Sequence, residues 1–575
     1  MQSLSLILIS LLLISLVWVV QSFWSGSRLR RAYARLPHPK GLPILGNVQE
    51  VVGFSKHKYV YEAQQKLGGI FVLKFLTLKF VSIGDPLMAH ELMQISDTAD
   101  KGWMYRPFER LTTNHRPSIF TSPTNVYWKA MRKGVAPAFN GSNLKQGFSR
   151  LNDLLPAVVN HIKRAGLGKS VNVDCVAGGV TMDAISLAIF GTTRGCTDDL
   201  TSDSKPELAV VAGQATDTII ATIAFPWVLK LGFIPAARRA SQGLAKMKKQ
   251  NQEMVRELRA CNPPATSLGA HLLSLQDPKT GQPLDDYQME AEMSTFFGAG
   301  FETSTTSIGW ALYAIATHAD VQCHVAAELQ HHGLLASHAR PEPRSLGWDD
   351  LGKLEYLRNV IKESMRLYTT ASGGTLRTLK KDIKLGGYDL PAGMSINVPF
   401  YNIHLNAAYW DRPTEFLPER WNVPNAEYVQ PKTEDTANAE SEGALSNGMH
   451  ESTPSTKDSN AGLRESISGG RQSDGMNAEE LWKPEAGIKA VGQDAKARSS
   501  VRRFMPFSLG LRNCVGQNLA NTTVLTFVAT LCSHFLIDLA PEMGGPEGVA
   551  KLTTLTLTLH VKGGLRLCFT PRAQA

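Results

Sequence analysis

Residues 503–520, RFMPFSLGLRNCVGQNLA, hold the most chemically suggestive spacing in the chain: Phe507, Gly510, Arg512, Cys514 and Gly516 give F-x-x-G-x-R-x-C-x-G ahead of a helix-compatible run. A lone cysteine is ordinarily a small buried hydrophobe. Here the glycines permit tight turning and close backbone approach, and the sulfur stands just before a helix N-terminus, where N–H groups and the dipole favour a thiolate. Arg512 adds a cation that can meet a carboxylate in a bidentate way. A thiolate with an adjacent arginine suits a haem, whose iron takes the sulfur while a propionate takes the guanidinium.

Three further constellations lie upstream. In YLRNVIKESMRLY, Glu363 and Arg366 share a helix face, with Leu354, Leu357, Ile361, Met365 and Tyr368 as an apolar stripe, so the charged pair is expected to be buried and to need a further partner. FLPERW offers Arg420 as that partner. In AGFET, Ala299 to Thr303, the glycines at 298 and 300 cost about 1 kcal/mol each in a helix interior, which suggests that something bulky lies against them. Glu302 followed by Thr303 could open the helical hydrogen-bond ladder and hold water. In YWKAMRKGVAPAF, Trp128 and Arg132 stand four apart on one helix face.

Taken in this order, these motifs resemble the cytochrome P450 family of haem-thiolate monooxygenases across nearly the whole chain. The one irregularity is Leu511, where many members place proline. The resemblance implies a P450 fold holding haem b, with Cys514 as the iron ligand and Phe507, Gly510, Arg512 and Gly516 shaping its loop. It assigns Trp128, Arg132 and Arg377 to the haem propionates, and Glu302 and Thr303 to proton delivery during dioxygen cleavage. Glu363, Arg366 and Arg420 become a structural network beneath the haem. Phe296, Phe297 and Ala299 become candidates for an apolar substrate pocket.

The elements that must position these groups follow from pattern. Residues 69–83 read as a strand pair, and Asp285 to His318, free of proline and apolar on more than one face, reads as a long helix through the middle of something large. The terminal LTTLTLTLHVKGGLRLCFTPR reads as a hairpin breaking at Gly563-Gly564. The fold class is mainly α with a minor β part.

Composition bounds the rest. The chain has 575 residues, a formal charge of +9, 43% hydrophobic and 19% charged residues, which is globular. Seven cysteines with no C-x-x-C pair exclude a disulfide scaffold and a Cys-rich zinc module. Leu4 to Trp24 carries no charge and is long enough to span a bilayer, and residues 1–27 contain no Lys or Arg while Arg28, Arg30, Arg31 and Arg35 follow. The expectation is a membrane anchor over 1–27 with the bulk of the chain facing the cytosol, by default at the endoplasmic reticulum. A basic, proline-rich extended linker over 28–47 and a catalytic domain over 48–575 come next. Residues 425–500 lack Phe and periodicity and carry a local charge of −5, so a disordered insert is expected there. Without it the chain is +14, and Lys129 and Lys133 suit either docking of an acidic electron donor or an ordinary solvated basic face. No G-x-G-x-x-G follows a strand, so NADPH electrons for O2 are expected from a separate flavoprotein reductase. Membrane lipid and a small apolar substrate complete the expected partners, with no nucleic acid among them. The rival readings are a haem-thiolate isomerase or dehydratase, against which Glu302-Thr303 argues, and a non-catalytic haem sensor.

Overall fold

Asp285 starts the central helix by accepting the Gln288 N–H on its side chain at 2.7 Å, an N-cap that satisfies one of the first-turn donors. From Asp286 to Thr317 the helix then runs without interruption, and the residues expected to open it do not. The Thr303, Thr305 and Thr306 hydroxyls instead return to the carbonyls four residues back, at 2.7, 3.0 and 2.8 Å. Small and apolar residues on several faces let the helix pack against Val173–Phe190, Pro235–Ala260, Glu355–Leu367 and Gln517–His534. Each large aliphatic side chain buried in these contacts contributes roughly 1.5–3 kcal/mol.

This is the computed structural model of the chain, describing residues 27–429 and 501–574 apart from 44, 49–55, 77, 95–98, 167, 199, 201–204, 223–225 and 232. The expected anchor, up to residue 26, and the insert from 430 to 500 lie outside the described residues. One described helix, Val173–Phe190, is long and apolar enough to cross a membrane, but it is buried within the domain and is a core helix.

Among the described residues, fourteen short strands complete the β part. In chain order they are β1 (Ile70–Phe75), β2 (Leu78–Ile83), β3 (Ala99–Asp100), β4 (Ser170–Asn172), β5 (Thr375–Leu379), β6 (Ile383–Leu385) and β7 (Tyr388–Leu390). There follow β8 (Ser395–Val398), β9 (Tyr428–Val429), β10 (Val501–Arg502), β11 (Phe535–Leu539), β12 (Thr553–Leu555), β13 (Leu559–Val561) and β14 (Arg566–Pro571). The expected strand pair is β1 and β2, antiparallel from Ile70 opposite Ile83 to Phe75 opposite Leu78. It edges a five-stranded sheet in the order β1-β2-β8-β5-β3, in which β2 and β8 are parallel.

Two expectations change. The terminal segment turns at Thr556–Thr558, between β12 and β13, while β14 leaves to join β11 and β4. Gly563 and Gly564, at φ of 85° and 88°, therefore form the junction between two sheets rather than the hairpin turn. The linker also docks onto the domain. Its basic half is a helix, Ser27–Arg35, and Leu36 is buried among the side chains of the five-stranded sheet while Pro37 O accepts the Val72 N–H at 2.8 Å.

Candidate haem-thiolate site

Cys514 sits at the end of a loop that its own backbone closes, the Cys514 N–H reaching Phe507 O at 2.9 Å. Gly510 is required there: its φ is +68°, and a Cβ would come within 2.4 Å of the Met93 carbonyl oxygen. Gly516 then caps the Gln517–His534 helix, placing the sulfur at the helix N-terminus. Burial pushes the thiol upward from its ordinary range, and the Gly516 N–H and the nearby Arg132 guanidinium oppose that push. Ligation to a metal overrides such a balance, since a coordinating thiol is deprotonated outright. Cys514 keeps an exposed surface, as does Ala299 in the middle of the central helix.

The cations gather on one side. Arg512 donates to Asp100 at 3.2 Å, to Thr124 Oγ1 at 3.0 Å and to Ser122 O at 2.5 Å, and its guanidinium lies 4.0 Å from the centre of the Trp128 ring. Trp128 donates its Nε1 to Ile119 O at 3.1 Å, and Arg132 bridges Asn513 O and Oδ1 at 2.9 and 2.5 Å, directly beside Cys514. Arg377 is buried and donates to Thr375 Oγ1 and to Leu376 O. Lys101 lies over the Tyr105 and Phe120 rings at 3.5 and 4.2 Å. Burial, with Arg377 and Arg512 acting in the same direction, pushes its ammonium down to about 7 against the pull of Tyr105. Burial works against ionisation at Asp100 too, but hydrogen bonds from Lys380 and Thr124 overcome it and hold the carboxyl below its usual range.

The residues present fit an iron porphyrin. One soft sulfur donor is held at a helix terminus, and Lys101, Arg132, Arg377 and Arg512 outnumber the single carboxylate of Asp100, a surplus suited to a planar group bearing two propionates.

Beneath the loop, the expected network is closed. Glu363 and Arg366, both 0% exposed, make a two-pronged pair at 2.8 and 2.9 Å. Arg420 Nε reaches the same carboxylate at 2.9 Å, and Leu417 N and Trp421 Nε1 complete it at 3.0 and 3.1 Å. Arg366 spends its remaining donors on the carbonyls of His404, Pro413 and Glu415. A buried pair with every donor and acceptor satisfied stands, whereas removing one partner costs about 3–5 kcal/mol. His404 carries the network up to the Cys514 loop. Its Nε2 accepts Met505 N–H at 2.9 Å, so Nδ1 bears the proton toward Thr369 Oγ1 at 2.8 Å. Burial, together with Arg366, pushes His404 down to about 3 and keeps it neutral.

On the opposite side, Glu302 and Thr303 are adjacent in sequence but turn to different partners. Glu302 Oε1 accepts the Thr558 hydroxyl at 2.7 Å, and Thr303 donates to Ala299 O. Ala299 is exposed on that face, whereas Phe296 and Phe297, expected beside it, are 6% and 3% exposed and pack against Phe139 and Phe190 at centroid distances of 6.4 and 6.0 Å. They belong to the core and give little surface to a pocket. The residues missed by sequence reasoning, Asp100, Lys101, Tyr105, Asn513, His404 and Thr558, carry no motif of their own. Asn513 alone had a usable signal, its place beside the cysteine.

Comparison with known proteins agrees with this geometry. The family profile for cytochrome P450 matches residues 36–435 and 482–562, leaving out most of the expected insert. Cytochrome P450 3A7 of Homo sapiens is 26% identical over 424 residues, covering 71% of this chain and 80% of the relative. Cytochrome P450 3A12 of Canis lupus familiaris is 27% identical, covering 69% and 78%, and the lithocholate 6-beta-hydroxylase of Mesocricetus auratus is 26% identical over the same shares. With a matched thiolate loop, a closed carboxylate–guanidinium network and a family match over most of its length, the chain belongs to the cytochrome P450 family of haem monooxygenases.

Proposed function

We propose that this protein inserts one oxygen atom from O2 into a small apolar substrate, with NADPH electrons delivered by a separate flavoprotein reductase. The balance is RH + O2 + NADPH + H⁺ giving ROH + H2O + NADP⁺. The observation that carries it is Cys514 held at a helix N-terminus beside a surplus of guanidinium groups. When bound, the haem supplies the iron at which dioxygen is activated.

The chain's residues take the remaining roles. Cys514 would hold the iron, and Lys101, Arg132, Arg377 and Arg512 are the cations that would meet the propionates. Trp128 keeps the Arg512 guanidinium flat against its ring, and Arg132 fixes Asn513 and with it the backbone next to the sulfur. Glu302 and Thr303 carry protons, and Ala299 offers a small apolar surface to the substrate. The exposed Lys129 and Lys133 give an acidic reductase a docking face. The uncharged run from Leu4 to Trp24 anchors the chain in a membrane, consistent with an apolar substrate drawn from lipid. The name of one relative makes lithocholate a first probe. An isomerase needs no proton supply, and the retained acid and alcohol favour the monooxygenase.

The test is spectroscopic. Reduced protein with carbon monoxide should show the red-shifted Soret band of a thiolate-ligated haem, and Cys514→Ser should lose it. A band at the position typical of histidine ligation would sink the proposal.

A further inference from the structure

We propose that Thr558 is a positioning residue for Glu302: its hydroxyl, donated from the turn between β12 and β13, fixes the carboxylate from which protons are handed on. This rests on the reading of Glu302 as a proton carrier. Glu302 and Thr303 do not organise each other, because Thr303 is committed to the Ala299 carbonyl and Glu302 Oε1 to Thr558 at 2.7 Å. Thr558 is 1% exposed, so its hydroxyl has no solvent alternative.

The turn that carries it is held from both sides. Trp310 Nε1, two turns along the central helix from Glu302, donates to Leu559 O at 2.6 Å, and Leu559 N donates to Thr370 O at 2.9 Å. Thr370 is itself tied to the central helix through Ser307 Oγ at 3.0 Å, and Thr556 N closes the turn onto Thr558 O at 3.2 Å. Trp310 is fixed in turn by stacking on Tyr368 at 4.7 Å. A donor on so rigid a support selects one arrangement of a side chain that otherwise has three rotatable bonds.

A hydroxyl also suits the task better than a cation. Among the described residues no Lys, Arg or His pairs with Glu302. A guanidinium would hold the carboxylate ionised and locked, whereas a neutral hydroxyl can keep donating to Oε1 whether or not the other oxygen carries a proton. With Oε1 held, Oε2 is left as the oxygen that takes and releases the proton.

Thr558→Val keeps the shape and removes the donor. Haem content and the carbon monoxide band should match wild type, while product per NADPH falls at least threefold and the lost electrons appear as peroxide, O2 + NADPH + H⁺ giving H2O2 + NADP⁺. Thr558→Ser should restore coupling. In ligand-free protein, the infrared difference between wild type and Glu302→Gln isolates the Glu302 carboxylate band, which Thr558→Val should shift and Thr558→Ser should return. An unshifted band, or wild-type coupling in Thr558→Val, overturns the role of Thr558. If Thr303→Ala is uncoupled in the same assay while Thr558→Val is not, only Thr558 is at fault; wild-type coupling in Thr303→Ala brings down the proton-delivery reading itself.

Discussion

Thr303 spends its hydroxyl proton on the Ala299 carbonyl at 2.7 Å, leaving its oxygen lone pairs as the feature it presents from the helix. A hydroxyl so placed can order a water or receive a proton without disturbing the fold, because the helix keeps its backbone bonds when the side chain is cut back. Thr303→Ala is therefore expected to keep haem content and substrate binding while product formation falls by about tenfold or more, since positioned proton transfer typically contributes 10²–10⁴. Stoichiometry of NADPH, product and peroxide checks this, and unchanged product per NADPH would remove Thr303 from the proton path.

The first half of the central helix acts as a clamp on residues 112–122. Gln288 donates to Pro117 O at 2.7 Å, Glu290 accepts from Thr113 N and Oγ1 at 2.9 and 3.0 Å, and Thr295 donates to Ser118 Oγ at 2.7 Å. Glu292, 0% exposed, accepts Ile119 N–H at 3.0 and 3.1 Å and the Tyr127 hydroxyl at 2.5 Å. Ile119 O in turn receives Trp128 Nε1, so the clamp sets the floor on which Arg512 rests. Burial pushes Glu292 up to about 7, against the bonds it accepts, and pushes Tyr127 up as well. Between the unfolded value of 4.5 and about 7 the folded state binds more protons than the unfolded one, so this group's contribution to stability falls as pH rises through that window. The full effect is on the order of 3 kcal/mol. Glu292→Gln should flatten it: melting curves at pH 5 and pH 8 should show wild type losing more stability than the variant, and parallel losses would contradict the assignment.

Across the whole molecule, the expected insert leaves and returns at one place. Tyr428 pairs with Arg502 and Val429 with Val501, and Glu427 holds Arg502 at 2.8 Å and Lys362 at 3.1 Å. The chain is thus committed to the fold through Val429, five residues further than composition suggested, and a short turn suffices to join the two strands. Replacing 430–495 by a short Gly/Ser linker should preserve haem content and the thermal midpoint. Loop closure sets the size of any gain, about 0.6 kcal/mol for each halving of a flexible loop. Loss of haem in that variant would show that the segment packs against the domain.

The sequence by itself determined the parts whose causes are local. Glycines around Cys514, the i,i+3 spacing of Glu363 and Arg366, the strand alternation near Phe75 and the uninterrupted run after Asp285 each act within a few residues, so periodicity and caps expose them. The resemblance carried Arg420 to Glu363 across 57 residues, and the geometry agrees. The tertiary structure decided which partner each group chose. It gave Glu302 a hydroxyl 256 residues away, gave Arg512 the carboxylate of Asp100 412 residues away, and turned Phe296 and Phe297 into the core. It also sent β14 to β11 instead of back along its neighbour. Such choices follow from desolvation and shape across packed elements, where every buried donor must find whichever acceptor the fold brings near, and no short-range spacing records that acceptor in advance.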